Sequence, residues 1–318
     1  MEDYESWKEY AAELASRWAF GGAVGPPIRI QSLAVNTTLK LSAPATHEFW
    51  EIPIVFEDAH LLALDKPSGL LTSPDRADPA RNNLTRLLHD SIAAGKTWAT
   101  ERGLTYLTPA HRLDAETSGI LLLAKSKPVF LALANQFGTD QPQASYVALA
   151  RGVPRAEHFE VDAKIAPHPL TPGLMRVDSR AGKQAKTRVR VVETFRDYVW
   201  LACRPVTNRM HQLRVHLRHT GLPLVGDTLY DGKPLLLSRL KRDYRLKPGR
   251  TERPLLARAA LHAAELNLVH PITGATVTFT APLPKDLRVA LKYLREHGGA
   301  TSGRHATSDD DQLSSSPI

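Results

Sequence analysis

Cysteine is almost absent from this 318-residue chain, with Cys203 standing alone. A single thiol cannot close a disulfide within the chain or build a cysteine-rich zinc site. It fits a reducing cytoplasm, where the chain is expected to reside. No apolar run reaches the roughly 18 residues that a membrane helix needs, so no membrane span is expected. The opening MEDYESWKEYAAELASRW places acids before bases, and lacks the basic start and apolar stretch of a secretion signal. No internal repeat is present. Gly95-Lys96-Thr97 ends like a phosphate-binding loop, but Asp90 stands where its first glycine would be required. There is no HExxH. His211, His216 and His219 cluster, yet the step from 211 to 216 turns one ring away from the other on a helix. They read as structural residues or as ones facing a bound partner, and no metal is expected.

What the chain does have is positive charge, +8 net. From Arg204 to Arg258 there are thirteen Lys and Arg against four Asp and Glu, a surplus of nine. That segment exceeds the surplus of the whole chain, so the remainder is nearly neutral. Concentrated charge of this kind points to a phosphate-binding face and an anionic partner, chiefly nucleic acid. Its densest stretch is Leu235–Arg253.

The interleaving of strands and helices is irregular, which favours α+β with a mixed sheet over a doubly wound fold. Residues 1–51 read as an N-terminal extension: a helix to about Trp18, a break at Gly21–Pro27, then strand-like stretches. The main domain is expected to begin near Ile52 and to run to 297. His60–Asp65 reads as a buried strand followed by a Lys66–Gly69 turn. Asn83–Ala93 has helical spacing. Ile120–Lys125 reads as a strand, and Ser126 as the N-cap of a helix ending near Phe137. Tyr146–Ala150, Thr187–Phe195, Tyr198–Cys203 and Gly274–Ala281 read as strands. Met210–Gly221 and Pro284–Gly298 read as helices. Residues 298–318, rich in Ser, Asp and Gly, are expected to be a disordered tail.

One loop stands out. HRLDAETSG, His111 to Gly119, lies directly before the apolar strand at Ile120. Its first four residues superficially suggest a kinase catalytic loop, but the spacing is off by one and no glycine-rich loop or DFG triplet accompanies them. By itself Asp114 is an ordinary loop aspartate, accepting turn hydrogen bonds while Thr117, Ser118 and Gly119 close the turn.

HRLDxxTSG resembles the signature motif of the RluA family of RNA pseudouridine synthases. Further blocks resemble the family in its own order: EDAHLLALDKPSGLLTSP (Glu57–Pro74), SYVALARG (Ser145–Gly152), RPVTNRMHQLRVHLRHTGLPLVGDTLYDG (Arg204–Gly232), and LHAAELNLVHPITG (Leu261–Gly274) followed by APLP (Ala281–Pro284). Together they cover residues 52–297. The resemblance implies a pseudouridine synthase fold: a mixed, largely antiparallel central sheet, flanking helices and a catalytic cleft. It implies isomerisation of specific uridines in ribosomal or transfer RNA through an aspartate carboxylate. That reaction detaches uracil from C1′, rotates it and rejoins it through C5, without redox change or net hydrolysis, so no cofactor is expected. The carboxylate can add to C1′ or to the base, or act as a base in an elimination.

The resemblance assigns roles position by position. Asp114 matches the indispensable aspartate. Arg209 matches the arginine that pairs with it, which would keep the carboxylate aimed through a planar two-point contact. Tyr146 matches the tyrosine that stacks on the target base. Arg112 matches a residue that enters the RNA where the base has flipped out, or else contacts phosphate. Leu261 is either an apolar wall of the uracil pocket or ordinary core. His111 is expected to shape the loop through backbone hydrogen bonds and to lie beside the RNA, and Arg214 is a further expected RNA contact. Two positions depart from the family: Ala144 replaces a usual basic residue, and Asn208 replaces a usual glycine, where asparagine tolerates a left-handed backbone. Residues 1–51 show no clear S4 RNA-binding domain. RNA is the expected partner, with no obligate protein partner, and a monomer is expected. A catalytically idle RNA-binding protein on the same fold is the competing reading; all of Asp114, Arg209 and Tyr146 being intact argues against it. A metal-dependent nuclease using His111, Asp114 and the later histidines lacks the clustered carboxylates it would need.

Overall fold

The computed structural model describes residues 38–75, 78–139, 142–247 and 249–299. The helix read to Trp18, the break at Gly21–Pro27 and all but the first two residues of the 298–318 tail lie outside these.

The chain opens with three antiparallel strands, β1 (Thr38–Ala43), β2 (Glu48–Glu57) and β3 (Leu61–Lys66). Helices α1 (Leu84–Ala93) and α2 (Thr97–Thr100) follow, then the short β4 (Thr108–Pro109), β5 (Ser118–Ala124) and α3 (Lys127–Gly138). Next come β6 (Gln143–Arg151), β7 (His158–Asp162), a small hairpin β8 (Ile165–Pro167) and β9 (Met175–Val177), then β10 (Lys186–Thr194) and β11 (Tyr198–Pro205). Helix α4 (Gln212–His219), the single turn α5 (Leu237–Leu240), strands β12 (Leu261–Val269) and β13 (Thr276–Thr280), and α6 (Lys285–His297) complete it.

The main sheet runs β1-β2-β3-β5-β12-β6-β11-β10-β7, with β13 beside β12 and β4 beside β5. Every pairing is antiparallel except β5 with β12, where His262 lies beside Ser118 and Ala263 beside Gly119. This is the mixed, largely antiparallel α+β sheet the sequence implies.

Local chemistry explains most elements. Asn83 caps α1 by accepting the Arg86 N–H at 3.0 Å, and Leu84, Leu87, Leu88 and Ser91 form its buried face. Ser126 occupies the N-cap position of α3 with Pro128 in the first turn, although its hydroxyl makes no capping bond. All seven residues of β5 are buried, so its alternate side chains serve opposite faces. Leu121 and Leu123 join Leu62, Leu64 and α1 on one face. Ile120, Leu122 and Ala124 join Val129 and Leu133 of α3 on the other. The second half repeats the scheme. Val147, Leu149 and Trp200 pack on Leu287, Leu291 and Leu294 of α6, while Ala148, Leu201 and Cys203 pack on Leu213 and Leu217 of α4. Each fully buried Leu in these layers contributes about 1.5–3 kcal/mol.

Two sequence expectations change. The boundary at residue 52 falls inside β2, and Leu39 and Leu41 of β1 are wholly buried against α1 and β3. The hairpin therefore belongs to the core; its alternating TLKLSA signal is short and sits within a weakly patterned stretch. Helix α4 starts at Gln212 rather than Met210, because His211 is left-handed (φ 54°) and cannot continue a helix. Its end is as expected: Gly221 takes φ 79°, and Leu222 N–H returns to Leu217 O at 2.9 Å.

Candidate active site

The HRLD loop spans the gap between β4 and β5, and its shape is set from beneath. The Thr72 hydroxyl donates to Leu113 O at 2.9 Å and accepts Leu113 N–H at 3.2 Å, bracketing the residue before Asp114. The wholly buried Lys66 ammonium donates to Pro67 O, Leu70 O and Ala115 O at 2.8, 2.7 and 3.2 Å. Burial pulls that ammonium down, the charges of Asp114 and Glu116 offsetting only part of it, to about 7. Gly69 N–H adds a bond to Ala115 O at 2.8 Å. The Lys-Pro-Ser-Gly turn is thus a platform for the loop. Past the loop, Gly119 adopts φ 114°, and a Cβ there would lie 2.2 Å from Ala263 O. Only glycine allows β5 and β12 to run side by side directly after Asp114.

His111 serves this scaffold. Its Nε2 accepts the Leu122 N–H at 3.0 Å, and its ring stacks on Phe137 with centroids 4.9 Å apart. Burial pulls its pKa down to about 4, so it stays neutral and can accept. This is the loop-shaping role read from the sequence. Its ring is engaged inside the protein by these contacts.

Asp114 opens into a cleft of about 430 Å³, including the space at its mouth. Arg112, Thr117, Tyr146, Leu261 and the turn from Thr207 to Arg214 line it. About a fifth of the Asp114 side chain is exposed. Tyr146, on β6, is partly buried, and burial together with the Asp114 charge raises its phenol above the usual range. Leu261, 3% exposed, packs beneath it at the start of β12 and both lines the cleft and joins the core. Arg112 stands exposed at the lip and makes no hydrogen bond or ion pair with a described residue.

The arginine beside Asp114 is Arg214, not Arg209. Arg214 Nη1 lies 3.5 Å from Asp114 Oδ2, while its Nε and Nη2 form a two-point bond to the buried Asp227 at 2.7 and 2.6 Å. Burial would lower the guanidinium, but the hydrogen bonds and charge of Asp227, aided by Asp114, hold it above its ordinary value. The Tyr230 ring covers it at 4.9 Å. Arg209 donates instead to Gln184 O at 3.0 Å and Asn208 O at 3.1 Å. The reason is local geometry: Arg209 sits in the turn before α4 and points along the cleft wall, whereas Arg214 lies on the buried face of α4's first turn. The left-handed residue in this turn is His211, and Asn208 does not have a positive φ.

His211, Tyr230 and Asp227 form the part of the site that sequence reading did not identify. His211 Nε2 is 3.9 Å from Asp114 Oδ1, and its Nδ1 is 2.7 Å from the Tyr230 hydroxyl. The available signal was modest: all three lie in the Arg204–Gly232 block. Among the described residues no three His, Cys, Asp or Glu side chains converge as metal ligands would, and no helix is long and apolar enough to cross a membrane.

The family model for RNA pseudouridylate synthase matches residues 60–219. The solved structure of human RNA pseudouridylate synthase domain containing 4 superposes with a TM-score of 0.56 at 25% identity, covering 76% of this chain and 92% of that one. Ribosomal large subunit pseudouridine synthase D of Zymomonas mobilis is 33% identical over 273 residues, 85% of this chain and 82% of that protein. The protein of the same name from Pseudomonas aeruginosa is 32% identical over 295 residues, 90% of this chain and 87% of that one. The chain belongs to the RluA family of RNA pseudouridine synthases.

Proposed function

We propose that this enzyme converts uridine to pseudouridine in ribosomal RNA of the large subunit, with Asp114 as the catalytic carboxylate. The observation that carries the reading is Asp114 itself, held at the cleft between Arg214 and His211 by a loop braced through Thr72 and Lys66. The choice of ribosomal RNA follows the names of its relatives. The target uridine flips out of its stack to bring C1′ and the base within reach of Asp114. Tyr146 stacks on the uracil, with Leu261 as the apolar wall. Arg214 aims the carboxylate as it adds to C1′ or to the base, or takes a proton in an elimination. Arg112 enters the space the flipped base leaves, where a guanidinium plane offsets part of the lost stacking. Arg209 contacts backbone phosphate. The protein works as a monomer in the cytoplasm.

The test is Asp114→Asn in a tritium-release assay on ribosomal RNA, with pseudouridine mapping in cells carrying or lacking the gene. Activity is expected to fall by about three orders of magnitude or more, and one or a few uridines to lose modification. Full activity of Asp114→Asn would sink the assignment.

A further inference from the structure

Gln212 braces the turn that ends in left-handed His211. Its Oε1 accepts Arg209 N–H at 3.1 Å and the Thr207 hydroxyl at 2.9 Å, and its Nε2 donates to Lys186 O at 2.9 Å. Val215 N–H then binds His211 O at 2.9 Å, so the imidazole projects from a fixed backbone. A non-glycine residue in this conformation is uncommon and marks a position whose side chain merits an explanation.

The hydrogen bonds determine which nitrogen carries the proton. The Tyr230 hydroxyl is buried (2% exposed), accepts Met175 N–H at 3.0 Å, and has one further partner, His211 Nδ1 at 2.7 Å. If Nδ1 carried the proton, the phenol O–H would have no acceptor among the described residues, which a buried hydroxyl rarely tolerates. The Nε2 lone pair would also face the Asp114 carboxylate. Both problems vanish when Tyr230 donates to Nδ1 and Nε2 carries the hydrogen. Burial pushes the Tyr230 phenol up to about 12, so the proton to donate is present, and burial lowers His211 despite the charge of Asp114, so one ring nitrogen is free to accept.

We infer that Tyr230 and His211 form a positioning relay that aims an Nε2–H at Asp114 Oδ1, opposite the Arg214 contact on Oδ2. At 3.9 Å this donor is beyond hydrogen-bond length in the free enzyme. Catalytic hydrogen bonds often tighten only when substrate is bound. The two contacts fix the carboxylate's rotation about its own axis, which neither sets alone. This inference rests on the assignment of Asp114 as the catalytic group.

Two measurements test it. The first is a histidine-ring nitrogen–proton correlation spectrum of the intact protein, with His211→Asn used to assign the peak. The Nε2–H tautomer is expected; the Nδ1–H tautomer overturns the inference. The second is a steady-state comparison of His211→Asn and Tyr230→Phe. Asparagine tolerates the left-handed backbone but cannot place a donor at Asp114. It is expected to lower kcat by about 10–100-fold with KM within about twofold. Tyr230→Phe, which leaves the ring but frees its tautomer, is expected to lose about three- to tenfold in kcat. Wild-type kcat in His211→Asn, or a loss confined to KM, would show that His211 only shapes the turn or touches RNA. Should Asp114→Asn itself remain active, the underlying assignment fails instead, so the two failures are separable.

Discussion

The cleft and the loop between Leu235 and Leu256 are both rich in arginine, and they use it in opposite ways. In the cleft, Arg214 is buried and surrounded by Asp227, Asp114 and the Tyr230 ring. In the loop, Arg239, Arg242, Arg245, Lys247, Arg250 and Arg253 are exposed, and none makes an ion pair with a described residue. Elsewhere several surface arginines do find acids, as Arg188 does with Glu160 and Arg218 with Asp231. Buried guanidinium must be neutralised internally because desolvation is costly. Exposed cations without partners remain available to phosphate. Charge held for geometry and charge held for affinity are therefore separated in space, and variants of each should fail differently.

The largest effect is expected at Asp227. Asp227→Asn strips Arg214 of its buried counter-charge, and urea unfolding should show a loss of about 3–5 kcal/mol. A stability change under 1 kcal/mol would mean that the contrast between the regions is overdrawn. Next comes a paired comparison. Arg214→Lys keeps charge but loses the fork that spans two carboxylates, and should lower kcat by about a hundredfold. Arg209→Lys should change KM by no more than a few-fold, and equal kcat losses in the two would restore Arg209 as the partner of Asp114.

A smaller effect concerns pH. His111 and His262 are both pulled to about 4 by burial. The unfolded chain takes up protons near 6.5 that these folded imidazoles refuse, so their stabilising contribution is full above 6.5 and is lost as pH falls toward 4. Urea melts at pH 7 and pH 5 should differ by roughly 1–2 kcal/mol for each group, and His262→Asn should flatten part of that slope.

The smallest effect on the fold, though not on binding, is expected in the loop. Replacing Arg239, Arg242 and Arg245 with glutamine should leave the melting temperature and kcat unchanged. RNA affinity should fall several-fold, and the salt dependence of binding should become shallower by about two to three phosphate contacts. An unchanged salt slope would make the loop a solvated surface.

Much of the molecule was legible in the chain. The apolar strand at Ile120, the helix over Asn83–Ala93 and the closing helix with Leu287, Leu291 and Leu294 on one face follow from local pattern, while the capping role of Asn83 came only from the structure. Strands β7, β8 and β9 were not read, being short and mostly without alternation. Strand β12 was recognised only as a family block, since LHAAEL is buried almost throughout and carries no period of two. At the site, Asp114 was marked by the resemblance of the nine residues from His111 to Gly119 to a family motif, since the local pattern alone reads as an ordinary polar turn.

The sequence by itself determined the excess of positive charge and the α+β class and, through its resemblance to a family motif, the candidate carboxylate, since composition, element order and motif are all read along the chain. Which arginine faces Asp114 was decided only by tertiary structure. Arg214 lies a hundred residues away in the chain, and the choice between it and Arg209 turns on a single left-handed residue, His211, that ends one turn and starts the helix. The Tyr230–His211–Asp114 arrangement has the same origin: it depends on where three separate segments meet, and no local pattern encodes that meeting.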